Sequence, residues 1–149
     1  MLPMDAAINL RQQCSHFRVL VIGRANAGKT TLLKKVCNSV EDPEIFTPGG
    51  ERIDLVIIEA SAERSEHDIE NQLIFKSNPQ FIFHDSRGFE SGSATEIQKV
   101  KDFIDARSAS STLSDQLHAI WYCMPTDTNR PLLSADEQFF EVFGTGKGK

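Results

Sequence analysis

Residues Gly23-Arg24-Ala25-Asn26-Ala27-Gly28-Lys29-Thr30 spell G-x-x-x-x-G-K-T. These types at this spacing suit one chemistry, the gripping of a polyphosphate. Gly23 and Gly28 permit backbone shapes a Cβ would block, so successive N–H groups point inward at an anion. A helix starting at the loop adds the positive end of its dipole. Lys29 brings a point charge to the β- and γ-phosphates, and Thr30 offers a hydroxyl to Mg²⁺. Arg24, Ala25, Asn26, Ala27 and Thr31 complete the segment expected to surround the phosphates. In a chain of ordinary composition the bare pattern arises by chance in about one sequence in a few hundred.

A second motif lies further on. Phe81-Ile82-Phe83-His84-Asp85-Ser86-Arg87-Gly88 is an apolar run ending in D-x-x-G. An Asp at the end of a strand beside the phosphate loop holds Mg²⁺, commonly through water. Gly88 would let its N–H approach the γ-phosphate and sense hydrolysis.

Certain elements must position these groups. Phe17–Ile22 reads as a buried strand leading into the loop, and Thr30–Cys37 as the helix leading out. Residues 4–14 read as a short polar helix. A long irregular stretch, Asn38–Glu66, contains a short strand over Ile53–Ile58. Ile69–Phe75 and Phe81–His84 flank Lys76-Ser77-Asn78-Pro79-Gln80, a hairpin signal. Ser93-Ala94-Thr95-Glu96 is a capping box opening a helix with Ile97, Val100, Phe103 and Ile104 on one face. Gln116–Cys123 reads as another apolar strand. Ser134-Ala135-Asp136-Glu137 caps a last helix, ended by Gly144. Strands alternating with helices predict an α/β domain, a three-layer P-loop NTPase fold with a mostly parallel sheet. The expected organisation is an N-terminal extension over 1–15, a partial G domain over 16–144 and a tail over 145–149.

On the Gly23–Thr30 loop and on Phe83-His84-Asp85-Ser86-Arg87-Gly88-Phe89-Glu90-Ser91-Gly92, the chain resembles the P-loop GTPases of the translation-factor-related, Era-like and TrmE-like class. It is similar in particular to a group of fungal G-domain proteins. His67–Asn71 and Trp121-Tyr122-Cys123 add weaker likeness, and the resemblance spans about residues 15–144. It implies GTP and GDP binding, slow Mg²⁺-dependent hydrolysis and action as a switch on a protein effector. Lys29 and Asn26 become the catalytic candidates: in similar GTPases an Asn at this loop position helps hold K⁺ beside the phosphates. A loop-stabilising role for the Asn26 side chain stays open. Arg24 and Arg87 are further candidates for a cation near the γ-phosphate, against a surface role.

Two departures stand out. Phe89 follows the D-x-x-G glycine, where Ras-like enzymes carry the Gln that orients the attacking water. The guanine-reading [NT]-K-x-D tetrapeptide does not occur in the sequence. The family's next strand would begin near Lys147, so the resemblance implies a G domain truncated at its C-terminus. For the switch threonine that closes on Mg²⁺, Thr47 and Ser65 are equal candidates, with Ser61 behind them. The four histidines form no catalytic set, and each is expected in a structural role. Two other readings stay open: an ATPase or nucleotide kinase on the same loop, and a pseudo-GTPase that holds nucleotide without turnover.

Composition bounds the rest. The 149 residues are 40% hydrophobic and 25% charged, enough for one domain with a core, and the net charge is −5. The acidic balance argues against a nucleic-acid surface. Cys14, Cys37 and Cys123 show no paired spacing, so reduced thiols in a cytosolic protein are expected. No apolar stretch approaches the ~18 residues of a membrane span.

Overall fold

Phe17–Gly23 forms the strand on which the sheet is built, β1, and its Val19, Leu20, Val21 and Ile22 are fully buried. A near-continuous aliphatic run suits a strand covered on both faces. In this computed structural model, residues 4–23, 28–54, 68–86, 94–124, 126 and 134–144 are described. Around β1 stand helix α1 (Met4–Gln13), α2 (Lys29–Val36), β2 (Glu44–Phe46), β3 (Arg52–Ile53), β4 (Gln72–Ile74) and β5 (Phe81–Asp85). Helix α3 (Ala94–Ser108), β6 (Ala119–Cys123) and α4 (Ser134–Gly144) complete the order.

The described strands form one sheet in the order β3-β2-β4-β5-β1-β6. β1 lies parallel to β5, with Val21 opposite Asp85, and parallel to β6, with Gly23 opposite Cys123. The β2–β3, β2–β4 and β4–β5 pairings are antiparallel. The expectation of a three-layer P-loop NTPase fold with a mostly parallel sheet, cut short at its C-terminus, is therefore corrected. The sheet is mixed, with antiparallel pairs in the majority. The reason lies in the connections. Only residues 47–51 join β2 to β3, and only residues 75–80 join β4 to β5. A parallel pair needs a crossover of a dozen residues or more. The 75–80 link is the hairpin that the Asn78-Pro79 turn signals in the sequence.

Side-chain alternation divides the core into two halves. Val19 and Val21 face Leu33 and Cys37 of the α2 region, together with Phe75 and Phe83. Leu20 and Ile22 face Ile97, Val100 and Phe103 of α3 and Phe139 of α4. These α3 positions are the apolar face read from its spacing. Tyr122 of β6 packs at a tilt against Phe139 and Phe140 and donates its hydroxyl to the Asp136 carboxylate, tying the β6 border of the sheet to α4.

Phe83 sits at the centre of the α2-side core, edge-on to Phe75 at 6.1 Å and 5.8 Å from Trp121 between ring centroids. Phe83→Ala leaves a void among rings already held on several elements. The expected loss is about 3–5 kcal/mol of stability, read as a lower urea midpoint.

Candidate nucleotide-binding site

The parallel registers bring the C-terminal ends of β5, β1 and β6 together. Gly23 closes β1 there. A Cβ on Gly23 would stand 2.5 Å from the Cys123 carbonyl oxygen, so close packing of β1 against β6 requires glycine. Residues 24–27, with the candidates Arg24, Ala25, Asn26 and Ala27, lie outside the described residues. The loop returns at Gly28, whose φ of 79° and ψ of 17° are left-handed. A Cβ there would meet nothing within 4 Å. The demand for glycine at position 28 is therefore one of backbone conformation alone.

Helix α2 starts at once. The Leu32 N–H donates to the Gly28 carbonyl at 2.9 Å. Its first turn carries no acidic side chain, while Lys34 and Lys35 occupy the last turn. No acidic side chain of the helix's own first turn offsets the positive end of its dipole at the loop. Thr30 and Thr31 are exposed on that first turn.

Lys29 does not point to solvent. Only 9% exposed, its Nζ donates to the Gly23 carbonyl at 2.6 Å and lies 3.6 Å from Asp85 Oδ1. One ammonium therefore spans from the start of the loop to the end of the neighbouring strand. Residues far apart in sequence meet because β5 runs parallel to β1 with Asp85 level with Val21. Beyond Asp85, the Ser86 N–H and hydroxyl both donate to the Val21 carbonyl, at 3.1 and 3.3 Å. Ser86 is thereby used structurally. Gly88, Arg87 and Phe89 lie outside the described residues.

The switch candidate Thr47 falls elsewhere. Thr47 sits in the β2–β3 turn, where its hydroxyl accepts the Glu51 N–H at 3.1 Å. β4 and β5 separate β2 from β1, so Thr47 is not gathered with Lys29 and Asp85. Ser65 and Ser61 lie outside the described residues. A groove of about 720 Å³ lies near the C-terminal end of α2 and the β2–β3 hairpin, away from the loop. Two ion pairs involve its lining carboxylates, Lys34 with Asp42 at 2.7 Å and Lys76 with Glu44 at 3.1 Å.

Among the described residues, no three or more His, Cys, Asp or Glu side chains cluster as a metal cage. Magnesium needs no such cage. It takes one or two carboxylates and completes its shell with water and phosphate oxygens. The Thr30 hydroxyl and the Asp85 carboxylate fit that donor set.

Two features of the site carry no sequence signal. Cys123 supplies the carbonyl against which Gly23 packs, and burial pushes its thiol upward, with Asp85 adding and Lys29 opposing. On the opposite face of β5, His84 is fully buried beside Asp85. Its Nδ1 lies 2.8 Å from the Ile69 carbonyl and its Nε2 2.8 Å from Arg18 Nη1. A carbonyl only accepts and a guanidinium only donates, so Nδ1 carries the hydrogen. Burial first, then the Arg18 and Arg107 charges, hold His84 down at about 3. Arg18 is itself lowered by burial and by Arg107, against the pull of Asp115 and Glu70. His118 is likewise structural: its Nδ1 accepts the Arg18 N–H at 2.8 Å.

With this geometry established, comparison with protein-family models, curated proteins and solved structures gives no match. Among the described residues, no helix is long and apolar enough to cross a membrane.

Gly23→Ala should force β1 and β6 apart at the loop and cost about 1–3 kcal/mol, seen as a lower melting temperature. A pH effect follows from His84. Above pH 6.5 the folded and unfolded chains both hold it neutral, and stability is full. Below 6.5 the unfolded chain takes up a proton that the folded chain refuses until about pH 3. Stability then falls by about 1.4 kcal/mol per pH unit from this group. Between pH 6.5 and 5 the wild type should lose about 2 kcal/mol more than His84→Gln in urea unfolding.

Proposed function

We propose that this chain binds GTP and GDP with Mg²⁺ and acts as a slowly hydrolysing switch. The observation that carries the reading is the Lys29 ammonium, held between the Gly23 carbonyl and the Asp85 carboxylate. The lysine of the phosphate-loop pattern and the aspartate of the second motif, weak on its own, meet where a strand passes into a helix. A left-handed Gly28 and a helix start with no acidic side chain in its first turn suit the approach of anionic oxygen.

Each residue has a role in that reading. Lys29 exchanges its carbonyl contact for the β- and γ-phosphates. The loop amides and the α2 dipole take the remaining phosphate charge. Thr30 and Asp85 would hold magnesium, which would supply charge neutralisation at the β- and γ-phosphate oxygens. Water attacks the γ-phosphate in line, and the loop stabilises the charge that spreads over its oxygens. Phe89, standing where Ras-like enzymes carry Gln, makes the intrinsic rate slow. The choice of guanine over adenine rests on the resemblance to G-domain proteins. Asn26 is assigned the K⁺ contact on the same ground. The three cysteines are free thiols, which suits a reducing compartment, and we place the switch in the cytosol, acting on a protein effector.

Titration calorimetry tests this. Folded wild type should take up GTP and GDP in the presence of Mg²⁺ and prefer them to ATP. Lys29→Ala should weaken triphosphate binding about 30-fold, the equivalent of about 2 kcal/mol for a lost charged contact. Equal binding of ATP overturns the guanine preference. GTP binding with no phosphate release under Mg²⁺ and K⁺ assigns the chain to the pseudo-GTPases. No magnesium-dependent uptake of any purine nucleotide ends the reading.

A further inference from the structure

His84 is a buried group that the phosphate chemistry leaves unused, yet it is the immediate neighbour of Asp85. We propose that His84 is a positioning residue for the Asp85 carboxylate, acting through the two hydrogen bonds that lock the end of β5. The proposal rests on reading Asp85 as a magnesium-holding group.

The geometry has three parts. First, adjacent residues of a strand point to opposite faces, so His84 and Asp85 are the two sides of one lever. His84 packs on the α3 side, 4.8 Å from the Phe103 ring, while Asp85 turns toward Lys29 on the α2 side. A twist at the end of β5 that moves one side chain moves the other.

Second, the His84 ring is held by elements other than its own strand. Nδ1–H donates to the Ile69 carbonyl, and Nε2 accepts from Arg18 of β1. Arg18 is fastened in turn. Its Nε and Nη2 donate to the Ser114 carbonyl at 3.4 and 3.3 Å, and its main-chain N–H donates to His118. The ring therefore ties the end of β5 to β1, to the turn around Ser114 and to the backbone at Ile69.

Third, both ring nitrogens are engaged, Nδ1–H as donor to the Ile69 carbonyl and Nε2 as acceptor from Arg18, so the ring is held in one tautomer and one orientation, which suits a positioning role.

The test compares GTP affinity in Mg²⁺ with affinity in EDTA. Wild type should bind more tightly in Mg²⁺. His84→Met removes both hydrogen bonds, and His84→Gln keeps one donor and one acceptor at similar reach. His84→Met should lose about tenfold of the magnesium-dependent gain while its affinity in EDTA stays unchanged, the low end expected for loss of a group that orients a ligand. His84→Gln should recover the gain. A purely structural role would weaken both conditions equally. The proposal is overturned if folded His84→Met keeps the full gain, if both affinities fall together, or if His84→Gln recovers nothing. Should His84→Met not fold, Arg18→Met removes one arm of the clamp. It should show the same selective loss, and an unchanged gain there overturns the proposal. A wild type without any magnesium-dependent gain fails at the earlier step, the reading of Asp85 itself.

Discussion

One ammonium group organises this molecule. Lys29 lies almost out of solvent, and a buried cation is tolerable only where its charge is met. Here the Gly23 carbonyl and the Asp85 carboxylate meet it. To make those contacts, the chain must pack Gly23 closely against β6, enter α2 through a left-handed Gly28 and bring β5 alongside in parallel register. Each of these is a constraint on backbone, and each falls on a residue that satisfies it. Gly23 allows the approach of Cys123, Gly28 allows the turn, and the Val–Leu–Val–Ile run of β1 supplies the burial that holds the neighbouring strands in place.

The two faces of β5 divide the labour. Its α2 face carries Phe83 in the aromatic core and Asp85 beside Lys29. Its α3 face carries His84 in a polar node with Arg18 and Ile69. A buried polar network raises energy unless every member is satisfied, and then it selects a single arrangement. This one is satisfied in a definite way, because a guanidinium can only donate and a carbonyl can only accept. The sheet is accordingly more specific at its centre than at the β2–β3 hairpin, where the exposed Arg52 stands at a loose 3.8 Å from Glu44 and such a contact contributes little.

Much of the architecture was legible in the residues. β1, α2, the 75–80 hairpin, the amphipathic face of α3 and the start of α4 follow from spacing, caps and turns. The direction of the sheet did not follow. Alternation of apolar side chains is the same in parallel and antiparallel strands, and the hairpin signal at Asn78-Pro79 bears on one pairing only. β2 and β3 are also too short for any periodicity to register. Thr47 shows the same limit: its distance in sequence from Thr30 suits a switch residue, while the local turn to Glu51 takes its hydroxyl. The partnership of His84 with Arg18 and Ile69 was invisible, since nothing in the spacing of those residues links them.

By itself, the amino-acid order determined the phosphate-loop pattern, the candidate Lys29–Thr30–Asp85 set and the elements around them. These are short-range properties, set by side-chain type, backbone freedom and periodicity within a few turns. Tertiary structure alone decided that the sheet is mixed, that Lys29 reaches Asp85, that Cys123 presses on Gly23 and that His84 is clamped neutral behind the site. Those are long-range outcomes. They depend on which strands lie side by side and in what register, and that is settled by packing across the whole core and not by any local pattern.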